Sequence, residues 1–231
     1  MAELLCVKDL TKVYGKRGAV TRALDGVDLS LEAGEYVGIM GASGSGKTTI
    51  GRAIIRINPT AGGEVIYDGQ KINGKISKEL DKQVTQKLQM IFQDPMASLN
   101  ERAKVDYIVA EGLLNLPKKL SKEERQAAVA EALQSVGLLP EFASRFPHEF
   151  SGGQRQRIGI ARAMVMHPEF IIADEPISAL DVSIRAQVLN LMAKFQREFD
   201  LTYLFISHDL SVMRFICDRI CVIHKLSLIH I

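Results

Sequence analysis

The stretch Gly41-Ala42-Ser43-Gly44-Ser45-Gly46-Lys47-Thr48 decides how the rest of this 231-residue chain is interpreted. It follows an apolar run at 36–40 and precedes a helix-like segment at 49–56, so the sequence predicts a strand, a glycine-rich turn and a helix in that order. Glycine has no Cβ atom, so such a turn can curl tightly and point successive backbone N–H groups at an anion. The helix that follows adds its own unpaired N–H groups. The pattern therefore predicts a site for a nucleoside triphosphate.

Two side chains of this stretch have predicted roles. Lys47 is expected to reach the β- and γ-phosphates, and the Thr48 hydroxyl is expected to ligate Mg²⁺. The alternative, a glycine-rich turn with a chance lysine, is disfavoured by the strand before it and the helix after it. The predicted ATP-binding residues of this segment are Gly41, Ala42, Ser43, Gly44, Ser45, Gly46, Lys47, Thr48 and Thr49.

Composition excludes several other classes of protein. A net charge of +2 gives no reason to expect a nucleic-acid partner, and 47% apolar residues suffice for a full globular core. Three cysteines (Cys6, Cys217 and Cys221) are too few for a disulfide framework, so we expect buried free thiols in a reducing, cytosolic setting. No signal peptide is visible, and no apolar run approaches the roughly 18 residues that span a bilayer. A membrane role is therefore expected to come through a partner.

The order of predicted elements indicates the fold class. Short β-rich runs occupy residues 4–40, and the first of them is predicted at 4–7. Residues 98–166 have helical periodicity, including a helix predicted at 105–114 and a capping box that begins at Ser121. Strands and helices then alternate from residue 167 onward, including a strand at 202–206 and a helix at 210–216. The strands are almost entirely apolar. This alternation predicts an α/β fold with a mostly parallel sheet that is covered on both faces.

Two adjacent carboxylates, Asp174 and Glu175, follow the apolar strand predicted at 170–173. In an open α/β sheet, ligands bind at the carboxyl ends of the strands. Asp174 is expected to orient Mg²⁺, and Glu175 is expected to polarise the water that attacks the γ-phosphate. Without the phosphate loop upstream, a solvated Asp-Glu turn would be the better interpretation.

A second helix start, Ser151-Gly152-Gly153-Gln154, is harder to explain within one chain. It offers another anion-binding end, yet one nucleotide cannot use both helix ends from the same side. Two chains packed head to tail could place the triphosphate between them. These residues resemble the signature L-S-G-G-Q of the ATP-binding-cassette (ABC) ATPase family, with Phe150 in place of leucine.

The resemblance extends from residue 4 to about residue 225 and implies further roles. Tyr14 matches the aromatic residue that stacks on adenine, and Gln93 matches the glutamine that contacts Mg²⁺ and water and senses the membrane subunit. Asp181 belongs to a segment that crosses the dimer interface, and His208 matches the histidine that contacts the γ-phosphate. Taken singly, Tyr14 and Gln93 would be ordinary surface residues, and His208 would be a strand-end histidine. The implied catalytic residues are Glu175, His208 and Gln93, and the implied metal ligands are Thr48, Gln93 and Asp174.

The resemblance also implies a domain organisation. It predicts a P-loop NTPase core at 1–97 and 167–225, with an N-terminal antiparallel β subdomain. A helical subdomain that carries the signature is expected at about 98–166.

The segments at 91–100, 146–151 and 174–190 are similar to the ATPases of oligopeptide and dipeptide importers, whereas 34–46 is more similar to those of lipoprotein-release and macrolide-type systems. Because the region around Gln93 contacts the transporter in this family, we give it more weight and expect a peptide importer. The alternatives are nickel import, lipoprotein or macrolide-type export, and a non-transport ABC ATPase.

The resemblance further implies the partners and the location. We expect a second ABC ATPase subunit, with a heterodimer favoured over a homodimer, two transmembrane permease subunits and, indirectly, a substrate-binding protein. No nucleic acid is expected as a partner. The chain is expected at the cytoplasmic face of a bacterial or archaeal cell membrane.

The last six residues, 226–231, depart from the family pattern, which continues with a glycine turn and another strand. One codon choice for them matches a transposon end used in building sequencing libraries. We therefore interpret 226–231 as the non-native tail of a truncated chain. The alternative is a genuine apolar strand.

Overall fold

Two β-sheets form the framework of the computed structural model, which describes residues 3–15, 20–116, 119–224 and 227–230. A four-stranded antiparallel sheet has the strand order β2-β1-β4-β5, and a six-stranded sheet has the order β10-β9-β3-β8-β7-β6. The strands of the described residues are β1 (Glu3–Tyr14), β2 (Thr21–Glu32), β3 (Tyr36–Gly41), β4 (Gly62–Tyr67), β5 (Gln70–Lys71), β6 (Leu88–Ile91), β7 (Phe170–Asp174), β8 (Thr202–Ile206), β9 (Arg219–His224) and β10 (Ser227–His230).

Helices pack against both sheets. The α-helices of the described residues are α1 (Lys47–Ile54), α2 (Lys78–Lys87), α3 (Pro95–Ser98), α4 (Val105–Ala110), α5 (Lys122–Ser135), α6 (Gly152–Met164), α7 (Val182–Phe199) and α8 (Leu210–Ile216). Short 3-10 helices occupy Gly112–Asn115, Pro140–Ser144 and Pro147–Glu149. In this part of the chain, no helix is long and apolar enough to cross a membrane.

The six-stranded sheet is parallel except for the pair formed by β9 and β10. Strands β7 and β8 are buried along their whole length. Alternate residues of β7 enter two different cores: Ile171 and Ala173 pack with α4–α7, whereas Phe170 and Ile172 pack with α1 and the antiparallel sheet. Because both faces of the parallel sheet are covered, its central strands carry apolar side chains at almost every position. These strands confirm the predicted α/β fold with its mostly parallel sheet.

The antiparallel sheet is the expected N-terminal β layer. Its strand β2 alternates buried and exposed residues, with Val27, Leu29 and Leu31 facing the core. Strand β1 is 12 residues long, whereas the sequence predicts only its first part, at 4–7. Asp9 has a positive φ of 48°, and the register of pairing shifts between Val7 and Leu10. This irregularity interrupts the alternation of apolar and polar residues, so the continuous strand is not evident from the pattern.

The segment expected to be helical, 98–166, contains α4, α5 and α6. The capping box is present: the Ser121 hydroxyl accepts from the Glu124 amide at 3.1 Å, and the Glu124 carboxylate accepts from the Ser121 amide at 2.7 Å. The helix predicted at 105–114 ends earlier, at Ala110, and a 3-10 turn follows. The division of the chain into subdomains at residues 98 and 166 stays a prediction.

The C-terminal strand β10 pairs antiparallel with β9 along the edge of the parallel sheet. Of the six residues interpreted as a non-native tail, Leu226 and Ile231 lie outside the described residues. The origin of this segment stays a prediction. Cys6 and Cys217 are free thiols, as expected. Cys6 and Cys221 are buried, whereas Cys217 is only partly buried.

Two glycines of the antiparallel sheet allow a matched test of its packing. Gly63 has φ +80°, and a Cβ added there would lie 2.2 Å from the backbone oxygen of Asp9, whereas Gly69 has φ +70° with open space around it. Gly69→Ala is therefore expected to cost only the strain of a left-handed alanine, about 1–2 kcal/mol. Gly63→Ala adds a clash with backbone and should lower the free energy of unfolding by roughly 2–5 kcal/mol.

Urea denaturation of the two variants measures this difference. Equal midpoints for Gly63→Ala and Gly69→Ala would show that β1 and β4 do not approach each other as described.

Candidate functional site

The phosphate loop connects the end of β3 to the start of α1, as expected. Gly46 has φ +100°, and a Cβ there would lie 2.6 Å from the carbonyl oxygen of Ala23. A Cβ on Gly41 would lie 2.8 Å from Ser45 Oγ and 2.9 Å from the carbonyl oxygen of Ile223. Only glycine avoids these contacts, so the loop is held tightly against its surroundings at both ends.

Lys47 is almost entirely buried, with 6% of its surface exposed. Its ammonium donates to the carbonyl oxygens of Gly41 and Ala42, each at 2.8 Å. Among the described residues no carboxylate forms an ion pair with it. Neutral carbonyls fix the position of the ammonium without cancelling its charge, so this cation is available to an anion in the loop.

The start of α1 adds further donors. Lys47, Thr48 and Thr49 form the first turn of the helix, so their N–H groups have no intrahelical acceptor. The Ser45 hydroxyl oxygen is buried and has no hydrogen-bond partner among the described residues. Unsatisfied donors and one buried cation in the same loop are suited to a phosphate chain.

On the opposite side, Asp174 lies at the carboxyl end of β7 and is only 1% exposed. It accepts a hydrogen bond from the Thr48 hydroxyl at 2.9 Å. Burial raises the pKa of Asp174, and the Thr48 hydrogen bond and the nearby cations Arg52 and Lys47 oppose this rise only in part. The carboxylate expected to orient a metal therefore faces the hydroxyl expected to ligate it.

Glu175 adopts a left-handed backbone conformation, with φ +45°. Such a conformation is strained for glutamate, and its N–H donates to the Ile206 carbonyl at 2.9 Å. The Gln93 amide donates to Glu175 Oε2 at 3.2 Å, and Nδ1 of His208 lies 3.3 Å from the same oxygen. The three residues expected to be catalytic thus meet at one carboxylate oxygen.

These groups line one cleft of about 810 Å³. Its walls come from the phosphate loop, Gln93, Glu175 and His208, together with Ala23 and Met40. The latter two were not predicted, because their contribution comes from their position in the fold and their residue types carry no chemical signal.

Asp174 is not in the lining of this cleft, and neither are three further groups of predicted site residues. Ser151 and Gln154 cap the start of α6: the serine hydroxyl accepts from the Gln154 amide at 3.3 Å, and Gln154 Oε1 accepts from the Ser151 amide at 3.0 Å. A Cβ added at Gly152 would have open space around it. Asp181 and Tyr14 are exposed, and Tyr14 lies at the end of β1 with 43% of its surface accessible.

The residues present fit Mg²⁺ only in combination with a phosphate ligand. Within the described ranges, no group of three or more His, Cys, Asp or Glu side chains could hold a metal ion. Thr48, Asp174 and Gln93 offer a hydroxyl, a carboxylate and an amide. Magnesium is commonly held by one or two protein oxygens together with substrate phosphates and water, and this set matches that pattern.

Comparison with known proteins gives consistent matches. Residues 24–178 match the family model described as ABC transporter. The oligopeptide transport ATP-binding protein AmiF of Streptococcus pneumoniae is 59% identical over 96% of this chain and 72% of its own length. The oligopeptide transport ATP-binding protein OppF of Streptococcus pyogenes is 58% identical over 96% of this chain and 73% of its own length.

A solved structure matches across nearly the whole chain. It is a dimer of the ATP-binding cassette MJ0796 in a post-hydrolysis state, bound to ADP and Pi. The TM-score is 0.87 at 33% sequence identity, and the match covers 97% of this chain and 96% of that one.

The raised pKa of Asp174 predicts how stability depends on pH. Between the unfolded-state pKa, about 4, and the higher folded-state pKa, the folded protein binds more protons than the unfolded chain, so stability falls as the pH rises through this window. Asp174→Asn keeps an acceptor for Thr48 and removes the buried charge. The nucleotide-free variant is therefore expected to be more stable than the wild type near neutral pH, and the difference should shrink towards pH ~4.

Chemical denaturation at both pH values measures this effect. Asp181→Asn, at an exposed carboxylate, is the control and should change stability little. An Asp174→Asn variant that is less stable than the wild type at neutral pH would contradict the raised pKa.

Proposed function

This chain belongs to the ABC transporter family of ATP-binding proteins, and we propose that it is the ATPase subunit of an importer of oligopeptides or dipeptides. The family expected from the signature residues is thereby confirmed. The proposal is carried by the cleft in which the phosphate loop faces Glu175, Gln93 and His208. The curated relatives named as oligopeptide transport ATP-binding proteins support the cargo.

In the proposed binding mode, the nucleotide's phosphates occupy the loop from Gly41 to Thr49. Lys47 contributes a positive charge that forms no ion pair with a carboxylate of the described residues, and the first turn of α1 contributes N–H donors. Tyr14, at the end of β1, stacks on the adenine. When bound between Thr48, Gln93 and Asp174, Mg²⁺ supplies charge neutralisation on the phosphate oxygens.

For hydrolysis we assign Glu175 the role of polarising the attacking water. Its carboxylate, 17% exposed, is close enough to the surface of the cleft to meet a water molecule. Gln93 and His208 both lie within hydrogen-bond range of Glu175 Oε2, so they orient the carboxylate. When either side chain moves off the carboxylate, it can contact the water or the γ-phosphate instead.

The proposed active form is a dimer of ATPase subunits packed head to tail. Ser151, Gly152, Gly153 and Gln154 lie outside this chain's own cleft, so they would contact the nucleotide held by the partner subunit. Asp181 and the neighbouring Val182, which is 82% exposed, would lie in the interface. The dimeric cassette bound to ADP and Pi supports this arrangement. We favour a partner that is a related chain rather than an identical one.

The permease contact is assigned to a groove of about 750 Å³ beside Gln93. The groove is lined by residues from α2, β6, the segment 55–57 after α1 and the 3-10 turn after α4, together with Phe92 and Arg162. Its position next to Gln93 would let a membrane subunit sense the state of the cleft. Two permease subunits would hold the chain at the cytoplasmic face of the membrane, and a substrate-binding protein would act through them.

Paired variants separate nucleotide binding from hydrolysis. Lys47→Ala removes a charge-assisted contact and is expected to weaken ATP binding by roughly 10- to 100-fold. Glu175→Gln keeps the shape of the side chain but removes the base, so it should bind ATP, accumulate a closed dimer and lose turnover by about 10²- to 10⁴-fold.

Calorimetry, phosphate release and size-exclusion chromatography measure these properties. Glu198→Gln, at an exposed position on α7, serves as the control and should behave as wild type. Normal hydrolysis by the Glu175→Gln variant would remove Glu175 from the proposed role.

The transport function has a separate test. Expressed with two permease subunits of an oligopeptide importer, the chain is expected to copurify with them, and cells should then take up labelled oligopeptides. Uptake should be lost with Glu175→Gln. Uptake of Ni²⁺ instead of peptide would change the cargo but keep the ATPase role, whereas copurification with nucleic acid in place of the permeases would contradict the proposal.

A further inference from the structure

We propose that Lys12 and Asn58 are positioning residues that hold the Tyr14 ring ready to stack on the adenine base. The inference rests on the proposed function, because it requires a nucleotide in the cleft. It adds two residues that belong to no recognised nucleotide-binding motif. The structure brings them together from β1 and from the loop after α1.

Lys12 is unusually placed for a lysine. Only 7% of it is exposed, and its ammonium lies 4.7 Å from the centroid of the Tyr14 ring. The ammonium also donates to the carbonyl oxygen of Pro59 at 2.5 Å. No carboxylate of the described residues forms an ion pair with it. A buried cation needs compensating contacts, and here the aromatic face and one carbonyl provide them.

Asn58 fixes the other end of the ring. Its amide Nδ2 donates to the Tyr14 hydroxyl oxygen at 2.9 Å. Its own backbone N–H donates to the carbonyl oxygen of Arg52, in α1, at 3.0 Å. The helix that begins at the phosphate loop therefore leads directly into the residues that hold Tyr14.

The backbone of Tyr14 lies near the nucleotide cleft, although Tyr14 itself does not line it. Tyr14 pairs with Thr21 across β1 and β2, and two residues further along β2 is Ala23, which lines the cleft and contacts Gly46. The ring covers the Lys12 ammonium, while Tyr14 as a whole remains 43% exposed. This exposure fits a ring with one face covered and the other open.

A cation beneath the ring favours stacking on its free face. Aromatic faces carry negative potential, so two stacked rings repel each other unless they are offset. The Lys12 ammonium draws electron density towards the covered face and lowers this repulsion on the open one. The two contacts also restrict rotation of the side chain before the base arrives, which reduces the entropy lost on binding.

The test compares a ligand that has a base with one that lacks it. Lys12→Met keeps the length of the side chain and removes the ammonium. It is expected to weaken ADP binding by roughly three- to tenfold, with binding of inorganic pyrophosphate unchanged. Lys12→Arg should restore most of the ADP affinity. ADP is chosen because it has no γ-phosphate to be hydrolysed during the measurement. Asn58→Ala, a second variant, should show the same selective loss.

Two controls show whether Lys12→Met acts on ADP binding through the Tyr14 ring. Lys8→Met changes an exposed lysine on the same strand and should leave both affinities unchanged. In a Tyr14→Leu background, Lys12→Met should have no further effect on ADP binding, because the ring through which it acts is gone.

Several results would overturn the inference. These are wild-type ADP affinity in Lys12→Met, an equal loss of ADP and pyrophosphate binding, and a full Lys12→Met effect in the Tyr14→Leu background. In each of these cases, the proposed function is not contradicted as long as the wild-type protein binds ADP. A wild-type protein that binds neither ADP nor ATP would overturn both.

Discussion

The hydrogen bond from the Thr48 hydroxyl to Asp174 joins the two halves of the candidate site. Thr48 lies in the first turn of the helix after β3, and Asp174 ends β7, which is separated from β3 by β8. Parallel strands present their carboxyl ends at the same edge of a sheet, so this contact depends on the strand order. Lys47 and Glu175, the neighbours of the bonded pair in sequence, are thereby set on opposite sides of one cleft.

Two adjacent carboxylates acquire different properties from their surroundings. Asp174 is buried, and its raised pKa reflects the cost of ionising it without a cation at full contact. Glu175 leaves the strand through a left-handed backbone turn, which directs its side chain to Gln93 and His208 instead of the core. Both features reduce the stability of the nucleotide-free protein. Strained and poorly neutralised groups of this kind are common where a site is prepared for a ligand.

One chain supplies only part of the proposed ATP site. The start of α6 is capped and does not line the chain's own cleft, yet α6 packs against the parallel sheet. Buried residues of α6, such as Ile158 and Ile160, pack in one core with Ile171 of β7 and Tyr203 of β8. A movement of α6 would therefore be transmitted to the sheet that leads to Glu175. Coupling of hydrolysis to transport requires such a connection.

The sequence by itself determined the elements and the chemistry, because both are encoded locally. The strand at 202–206, the helix at 210–216 and the Ser121 capping box were predicted at their observed bounds, since periodicity and cap residues are properties of short segments. The phosphate loop and the Asp174-Glu175 pair were likewise evident. Only the tertiary structure decided the contacts between distant segments. The full length of β1, the Ala23 carbonyl against Gly46 and the Lys12 ammonium beneath Tyr14 depend on strand register and backbone conformation, which no local pattern records.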